Sequence, residues 1–554
     1  TTEIYTLSLH DALPIWAAER MRERRIDSLP LTRGRGKDLR YVGFVGKRDV
    51  DGALAHGLGD RPVGEFSVGE PPWIAPEASL DEARRVLAAG GARFLLVGEP
   101  LGDAVGILTR GAVLRALEEP SLRPSGPRPS VARVRALLRE GLGPRWTWVE
   151  RLGEVAASLG YAVHLVGGSV RDLFLGQPVR DVDLVVEGEA PRVAREARRR
   201  FGGRISTHQA FGTASLILDD GESIDLASAR AEHYERIAAL PKVELHAGLR
   251  QDLFRRDFTI NAMAVSVSPQ DLGTLHDPFG GYADLQAGVL RVLHGLSFHD
   301  DPTRAFRAAR FAARFEFEPS PETLGLLHAA RKAGAFEKLG KERLGTELER
   351  ILEQREVVQA FRLLRAWKLL PAIHPRFTRS SAFLERLGRL RECRHRLAEV
   401  FGAALPGQAD VLWIEVGRAI PKADRQAWGR MVPRGGERRR RFVFGYERVR
   451  RALLRLPRAR TGAQAGALLF GLDEAELVYA LGTSESENAS KWIDWWIRRG
   501  RKIRTQVDGD TLIARGHAPG KKMGKALAAA RAAAWNGEDP DAQLAAAERA
   551  LRGP

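Results

Sequence analysis

A Gly-Gly pair followed by two aspartates one residue apart, Asp181 and Asp183, constrains this chain more than any other feature. They lie in LVGGSVRDLFLGQPVRDVDLVVEG, residues 165–188. The apolar runs 164–166 and 182–186 read as short buried strands. Alternate side chains on a strand share a face, so Asp181 and Asp183 point the same way, with Cα atoms about 6–7 Å apart. Two such carboxylates can hold a pair of Mg²⁺ ions about 3.5–4 Å apart, the geometry that moves phosphoryl and nucleotidyl groups. Gly167 and Gly168 fall where strand becomes helix. They admit backbone N–H groups close to a triphosphate, and the helix start at Ser169 adds its positive dipole end. Asp-x-Asp alone is common on solvated turns and Gly-Gly alone is a loop. The order in which the two occur is what points to nucleotidyl transfer.

A chain of 554 residues requires several cores. Lys and Arg number 87 against 70 for Asp and Glu, a surplus of 17 dominated by arginine. That balance fits a polyanionic partner, although a preference for arginine codons gives the same composition. One cysteine, Cys393, excludes an internal disulfide framework or Cys-based zinc site and fits the cytoplasm. No apolar run is long enough to span a membrane, and no export signal is evident. The opening TTEIYTLSLHDALPI resembles translated sequencing-adapter sequence, so residues 1–16 are set aside as non-native.

Residues 17–119 read as a distinct unit. From Trp73 the order is strand, helix (80–89), strand (94–97), strand (104–108), helix (111–117). Residues 17–57 repeat its latter part: a helix, Leu29-Pro30-Leu31, a strand (41–45) and a helix (50–56). This similarity resembles a pair of CBS modules, the first lacking its start. That family offers a hydroxyl residue and, three positions on, an aspartate to a nucleotide ribose. Gly46 and Asp49 stand there in the first repeat, Thr109 and Ala112 in the second, so each copy keeps half the pair. The resemblance implies an adenine nucleotide as ligand. The half-kept pair favours a structural role, or a homodimer formed through these modules. Residues 120–145 read as a linker, opening on PSLRPSGPRPS, with a helix over 131–140 leading in. Residues 146–270 mix strands and helices, and from about residue 295 nearly everything has helical periodicity. The end combines a Gly/Pro-rich loop (516–524) with an Ala-rich helix.

A third carboxylate comes from the hairpin 214–218 and 223–226, whose second strand carries Asp225. The plainer reading is a surface aspartate at a strand end. Further on, Arg255, Arg256, Asp257 and Asn261 cluster before an apolar segment. Arginine forks suit triphosphate oxygens, and Asn bonds a sugar hydroxyl or braces a loop. Asp257 equally suits a helix cap.

GGSVRD, RDVDLVV, RRDFTINAMA and HDDPTRAFRAARFAARFEF, in this order, resemble the class II tRNA nucleotidyltransferases and the similar bacterial poly(A) polymerases over roughly residues 150–355. The resemblance implies that Asp181 and Asp183 hold catalytic metals; Asp225 is expected beside them as a third catalytic acid from the hairpin. It implies that Gly167, Gly168, Ser169 and Arg171 cradle the triphosphate, and that Arg230, Arg255, Arg256, Asp257 and Asn261 shape the nucleotide pocket. Residues 231–250 correspond to a mobile loop. DDPTR (300–304) resembles the family's base-reading motif, usually Glu-Asp-x-x-Arg, with a shorter first acid here. Asp301 and Arg304 then serve as a protein template. A carboxylate acceptor beside a guanidinium donor matches the amino donor and ring-nitrogen acceptor of adenine or cytosine, and mismatches guanine and uracil. A helix salt bridge is the structural alternative. Glu342, Arg343 and Glu347 read as a structural neck motif. Arg438, Arg439, Arg440, Arg441, Arg498 and Arg499 are RNA-backbone contacts or a solvated face. Trp492, Trp495 and Trp496 read as core.

The expected fold is α+β and multidomain. A CBS pair precedes a small mixed-sheet, polymerase β-like head (146–275). A neck with base recognition (276–355) and an all-helical body and tail that bind tRNA (356–554) follow. The expected activity is template-independent, Mg²⁺-dependent addition of A, or of CCA, to tRNA 3′ ends from ATP and CTP. Poly(A) polymerase is the alternative within the class, and an inactive nucleotide-sensing protein the alternative outside it. The CBS arrangement resembles a longer architecture with a DHH phosphoesterase-like domain in front, often found with A-adding enzymes.

Overall fold

The computed structural model describes residues 128–552, apart from 219–221, 234–241, 246, 296, 378–380 and 434. Before these it describes residues 7–8, 12–24, 28–33, 40–55, 57–66, 72–78, 82–83, 86–87, 94–99, 106–109 and 113. Two compact units result: Thr1–Arg304 with Glu318–Lys338, and Ala305–Phe317 with Leu339–Pro554.

In the N-terminal region two three-stranded sheets have the same plan. Leu7–Ser8 pairs parallel with Ser28–Arg33, which pairs antiparallel with Arg40–Gly46. Trp73–Ile74 pairs parallel with Phe94–Val97, which pairs antiparallel with Gly106–Thr109. The internal repeat is thus visible in strand order. Leu7–Ser8 takes the place of Trp73–Ile74, where the sequence suggested a repeat without its start. Ala12, Ala17, Ala18 and Met21 are buried with Leu29, Leu31 and Val45, so the core draws on residues inside the segment set aside as non-native. Edge-to-face contacts Tyr41–Trp73 and Phe44–Phe94 join the repeats. The expected helices at 80–89 and 111–117 lie largely outside the described residues, as does Ala112.

The head starts earlier than its linker-like composition suggests. Ser130 caps helix α1 (Val131–Leu142), accepting from Arg133 N, and Val134 and Leu138 are fully buried. Helix α2 (Arg145–Ser158) follows, then β1 (Val163–Val166), α3 (Gly168–Phe174) and β2 (Val182–Val186). After α4 (Ala190–Phe201) come β3 (Arg204–His208), β4 (Thr213–Ile217) and β5 (Ser223–Ser228). The hairpin β6 (Arg230–His233) and β7 (Lys242–Leu245) leads to helix α5 (Leu249–Phe254). Strands β8 (Ala264–Ser266) and β9 (Leu275–His276) complete a seven-stranded sheet of order β9-β8-β1-β2-β5-β4-β3. Every pairing in it is antiparallel except β2 with β5. One side is covered by a core that includes Val166, Val185, Leu253, Ala264 and Phe279.

The second unit is helical. Its core includes Trp413, Phe442, Phe361, Phe383 and Tyr479, all buried. Close approach is built into helix Lys341–Glu353: a Cβ at Gly345 would lie 1.5 Å from the Met431 carbonyl oxygen, so only glycine fits. Glu415, fully buried, accepts from Arg386 Nε (2.8 Å), Arg418 Nε (2.8 Å) and the Tyr479 hydroxyl (2.7 Å). Buried carboxylates persist only with such partners. At the C-terminal end, helix Lys521–Trp535 begins inside the stretch expected as loop and packs on a second helix, Pro540–Arg552.

Candidate active site

Gly167 is the turn between β1 and α3. Its φ of 69° is one that L side chains rarely adopt. A Cβ there would also lie 2.5 Å from Arg256 Nη1, so the guanidinium lies against the bare backbone. Two positions on, the Ser169 hydroxyl donates to the Asp181 carbonyl (2.8 Å) and accepts from the Asp183 N–H (3.3 Å). One hydroxyl therefore fixes the glycine turn against the segment that carries both aspartates. Val182 and Leu184 are buried whereas Asp181 and Asp183 are exposed, as alternation requires.

Asp225 on β5 is in register beside Asp183 on β2, and the Ser215 hydroxyl on β4 donates to Asp225 Oδ1 (2.5 Å). The three carboxylates thus lie together near the start of the adjacent inner strands β2 and β5. Loss of hydration raises the Asp183 pKa above the usual carboxylate value. Asp225 and Asp181 push it the same way, and Arg256 opposes them. An oxygen-only donor set under mutual repulsion fits a hard divalent cation. Among the described residues, no three His, Cys, Asp or Glu groups already converge on one point. Asp225 leans on Ser215 instead.

An arginine cluster borders these acids. Asp252, on α5 and fully buried, accepts from Arg255 Nε (3.0 Å) and Nη2 (2.7 Å) through Oδ1, and from Arg256 Nη2 (2.9 Å) through Oδ2. Its Oδ1 also accepts from the Arg230 backbone N–H (3.4 Å). Glu232 on β6 accepts from Arg255 Nη1 (3.3 Å) and lies 3.4 Å from Arg230. Burial pushes the Asp252 pKa up, but Arg256 and Arg255 outweigh it and the net shift is downward. Burial, then the neighbouring Arg255, lowers that of Arg230. Sequence reasoning missed Asp252 and Glu232. Asp252 was findable: it precedes Arg255 and Arg256 by three and four residues, the spacing of side chains on one helical face.

Arg171, Asp257 and Asn261 form a brace. Arg171 is buried; its Nε and Nη2 donate to Asp172 Oδ1 (2.9 and 2.7 Å) and its Nη1 to Asn261 Oδ1 (2.6 Å). Asn261 Nδ2 donates to Asp257 Oδ1 (2.9 Å), which also accepts from Phe258 N. This chain ties α3 to the segment after α5. Of the two roles open to Asn261, the structure shows the brace.

The DDPTR segment starts a helix at Thr303. Asp301 Oδ1 accepts from the Thr303 N–H (2.9 Å) and hydroxyl (2.5 Å), a capping arrangement with Pro302 just before the helix. Arg304, buried, donates through Nη1 to Ser297 Oγ (3.1 Å) and through Nη2 to the Arg255 carbonyl (2.8 Å). The segment expected to read the base is thereby bonded to the backbone of Arg255. The segment expected as a mobile loop is described at β6, β7 and 247–250, while 234–241 and 246 lie outside the described residues.

The C-terminal arginines are largely engaged inside the protein. Arg438 bonds Asp410 (2.9 Å) and contacts Glu349, and Arg439 donates to the Gly429 carbonyl (2.9 Å). Arg440 and Arg441 both donate to Asp473 (2.8 and 2.9 Å). Arg498 pairs with Asp494 on its own helix, and Arg499 is exposed. Trp496 is buried against Trp535, and Trp492 and Trp495 join the same ring cluster. Glu347, in the neck motif, is buried and pairs with Arg350.

Residues 163–291 match the family model of the poly A polymerase head domain, and residues 63–119 that of the CBS domain. An A-adding tRNA nucleotidyltransferase of Geobacter sulfurreducens is 32% identical, over 94% of this chain and 60% of its own length. One from Halalkalibacterium halodurans is 32% identical, over 67% of this chain and 84% of its own. The chain spans 44% of the length of a third, from Aquifex aeolicus, at 36% identity. Among solved structures, a CCA-adding enzyme in apo form II is 31% identical, with a TM-score of 0.65 over 74% of this chain and 97% of that one. The Thermotoga maritima CCA-adding enzyme complexed with tRNA is 29% identical, with a TM-score of 0.61 over 75% and 98%.

Proposed function

The chain belongs to the tRNA nucleotidyltransferase family, and from that membership we propose that it adds the terminal A to tRNA 3′ ends, using ATP and releasing pyrophosphate. One observation carries the reading: Asp181, Asp183 and Asp225 lie together near the start of the adjacent strands β2 and β5, joined through Ser169 to the Gly167 turn and flanked by Arg256. The three relatives above, each matched over most of this chain, are A-adding enzymes.

Enzymes of the family generally use divalent metal ions, and we take the ion to be Mg²⁺, held by Asp181 and Asp183 with Asp225 as third acid. When bound, it acidifies the attacking 3′-hydroxyl and neutralises charge on the leaving pyrophosphate. The protein's own part is placement. The turn at Gly167 and Gly168 gives the triphosphate a close backbone approach, and Arg230, Arg255 and Arg256 supply positive charge beside it. Asp301 and Arg304 read the base edge. Such catalysis is mostly orientation and electrostatics.

The basic helical unit takes the tRNA, with exposed Arg499 among its contacts. The CBS pair is read as a structural or dimerising element, with an adenine nucleotide as the alternative ligand. A cytoplasmic setting follows from the tRNA substrate; among the described residues no helix is long and apolar enough to cross a membrane.

Incubation with labelled ATP and CTP tests the reading. One A added to tRNA ending in CC, with nothing added to tRNA lacking all three terminal nucleotides, supports it. Restoration of CCA on the shorter tRNA replaces it with full CCA addition, and long A tracts on unrelated RNA replace it with poly(A) synthesis. No incorporation into any RNA overturns it.

A further inference from the structure

We propose that Asp252 is a positioning residue for nucleotide binding, a clamp that holds the Arg255 and Arg256 guanidinia where an incoming triphosphate meets them. The proposal rests on the nucleotidyltransferase reading above. Asp252 is itself 0% exposed and cannot touch substrate. Each of its oxygens takes a different arginine, Oδ1 Arg255 and Oδ2 Arg256. An aspartate so placed acts through its partners.

The cluster is built for one more anion. Three guanidinia, Arg230, Arg255 and Arg256, face two carboxylates, Asp252 and Glu232. Two buried donors, Arg230 Nε and Arg256 Nε, lack a hydrogen-bond partner among the described residues. Buried donors are normally satisfied, so their idleness marks where an acceptor belongs. Arg256 also lies against the Gly167 turn, its Nη1 2.5 Å from where a Cβ of Gly167 would be. A guanidinium has five donors, so the clamp fixes the fork while leaving N–H groups for phosphate oxygens.

The alternative is that Asp252 merely neutralises buried charge. The two differ in what binds. Calorimetric titration of Mg-ATP and of AMP into Asp252→Asn, without tRNA, separates them. The clamp predicts that ATP affinity falls roughly tenfold or more, because charge-assisted bonds to the triphosphate lose their geometry. AMP affinity should change less than about twofold, because AMP lacks the phosphates the clamp serves. Equal weakening of both nucleotides, or of neither, overturns the proposal. If Asp252→Asn does not fold, Asp252→Asn/Arg255→Gln/Arg256→Gln is compared with Arg255→Gln/Arg256→Gln. Equal ATP affinity supports the clamp, since the carboxylate then has nothing to act through, and a further large loss overturns it. Wild-type incorporation into tRNA is measured alongside. Its absence refutes the nucleotidyltransferase reading and leaves the ATP-against-AMP comparison to judge the clamp.

Discussion

Asp183 and Asp225 stand side by side, in register, on a parallel pair of strands that is the only one among the described residues of the head sheet. Strands in a sheet lie about 4.8 Å apart, close enough for both carboxylates to reach one cation. Asp181→Ala or Asp183→Ala should lower nucleotide incorporation by roughly a thousandfold or more while leaving the fold intact. Labelled-nucleotide assays with circular-dichroism melting check both halves. Near-normal turnover would refute the metal assignment.

Gly167→Ala should be costly twice. The φ of 69° strains any L side chain by about 1–2 kcal/mol, and the new Cβ would collide with Arg256 Nη1. Unfolding in urea should show the first effect. A raised KM for ATP should show the second, and an unchanged KM would mean that Arg256 does not serve the nucleotide.

Asp301 has two separable roles. Asp301→Ala should cost about 1 kcal/mol through the lost cap and also loosen the choice between ATP and CTP. Asp301→Asn keeps a capping oxygen but loses the charge. It should retain stability and still discriminate poorly. If Asp301→Asn selects bases as wild type does, the base-reading role is excluded.

Arg438 is predicted to be a structural residue. It is mostly buried, with bonds to Asp410 and Glu349. Arg438→Ala should destabilise the helical unit by about 3 kcal/mol, since it takes the arginine from the buried Glu349, which keeps only the Trp413 N–H among the described residues. Arg499→Ala should weaken tRNA binding and leave the melting temperature alone. Gel-shift titrations and thermal melts of the two variants would expose a reversal of these roles.

Glu476 makes stability depend on pH. Burial, then the charge of Asp473, pushes its pKa up to about 7 from the ordinary 4.5. Between those values the folded protein keeps a proton that the unfolded chain has lost. The resulting stability is fully present below pH 4.5 and is lost as pH rises through about 7. Glu476→Gln keeps the cap on Asp473 N and removes the titration. Its stability relative to wild type should be greater at pH 8 than at pH 5. An equal difference at both would refute the buried-acid account.

Local patterns were legible in the sequence. The strand expected at 182–186 is Val182–Val186, and the expected hairpin is Thr213–Ile217 with Ser223–Ser228. Alternation and turn residues specify such elements within a few positions. Partnerships across the chain were not legible. Arg438 looked like part of a solvated basic run because Glu349 and Asp410 are far away in sequence. Arg171 looked like a phosphate ligand, yet its donors go to Asp172 and Asn261. The sequence offers an arginine without saying which carboxylate reaches it first. The helix expected at 131–140 is Val131–Leu142, and its apolar positions Val134, Leu138 and Leu142 have helical spacing.

Parallel strands cannot be joined by a tight turn, so residues 184–224 must fold back as a crossover before Asp225 comes alongside Asp183. The acidic centre is therefore a long-range product of assembly, absent from any fragment that ends before β5. A nascent or partly unfolded chain lacks the assembled set of acids, so the proposed nucleotide chemistry would be restricted to molecules whose head has finished folding.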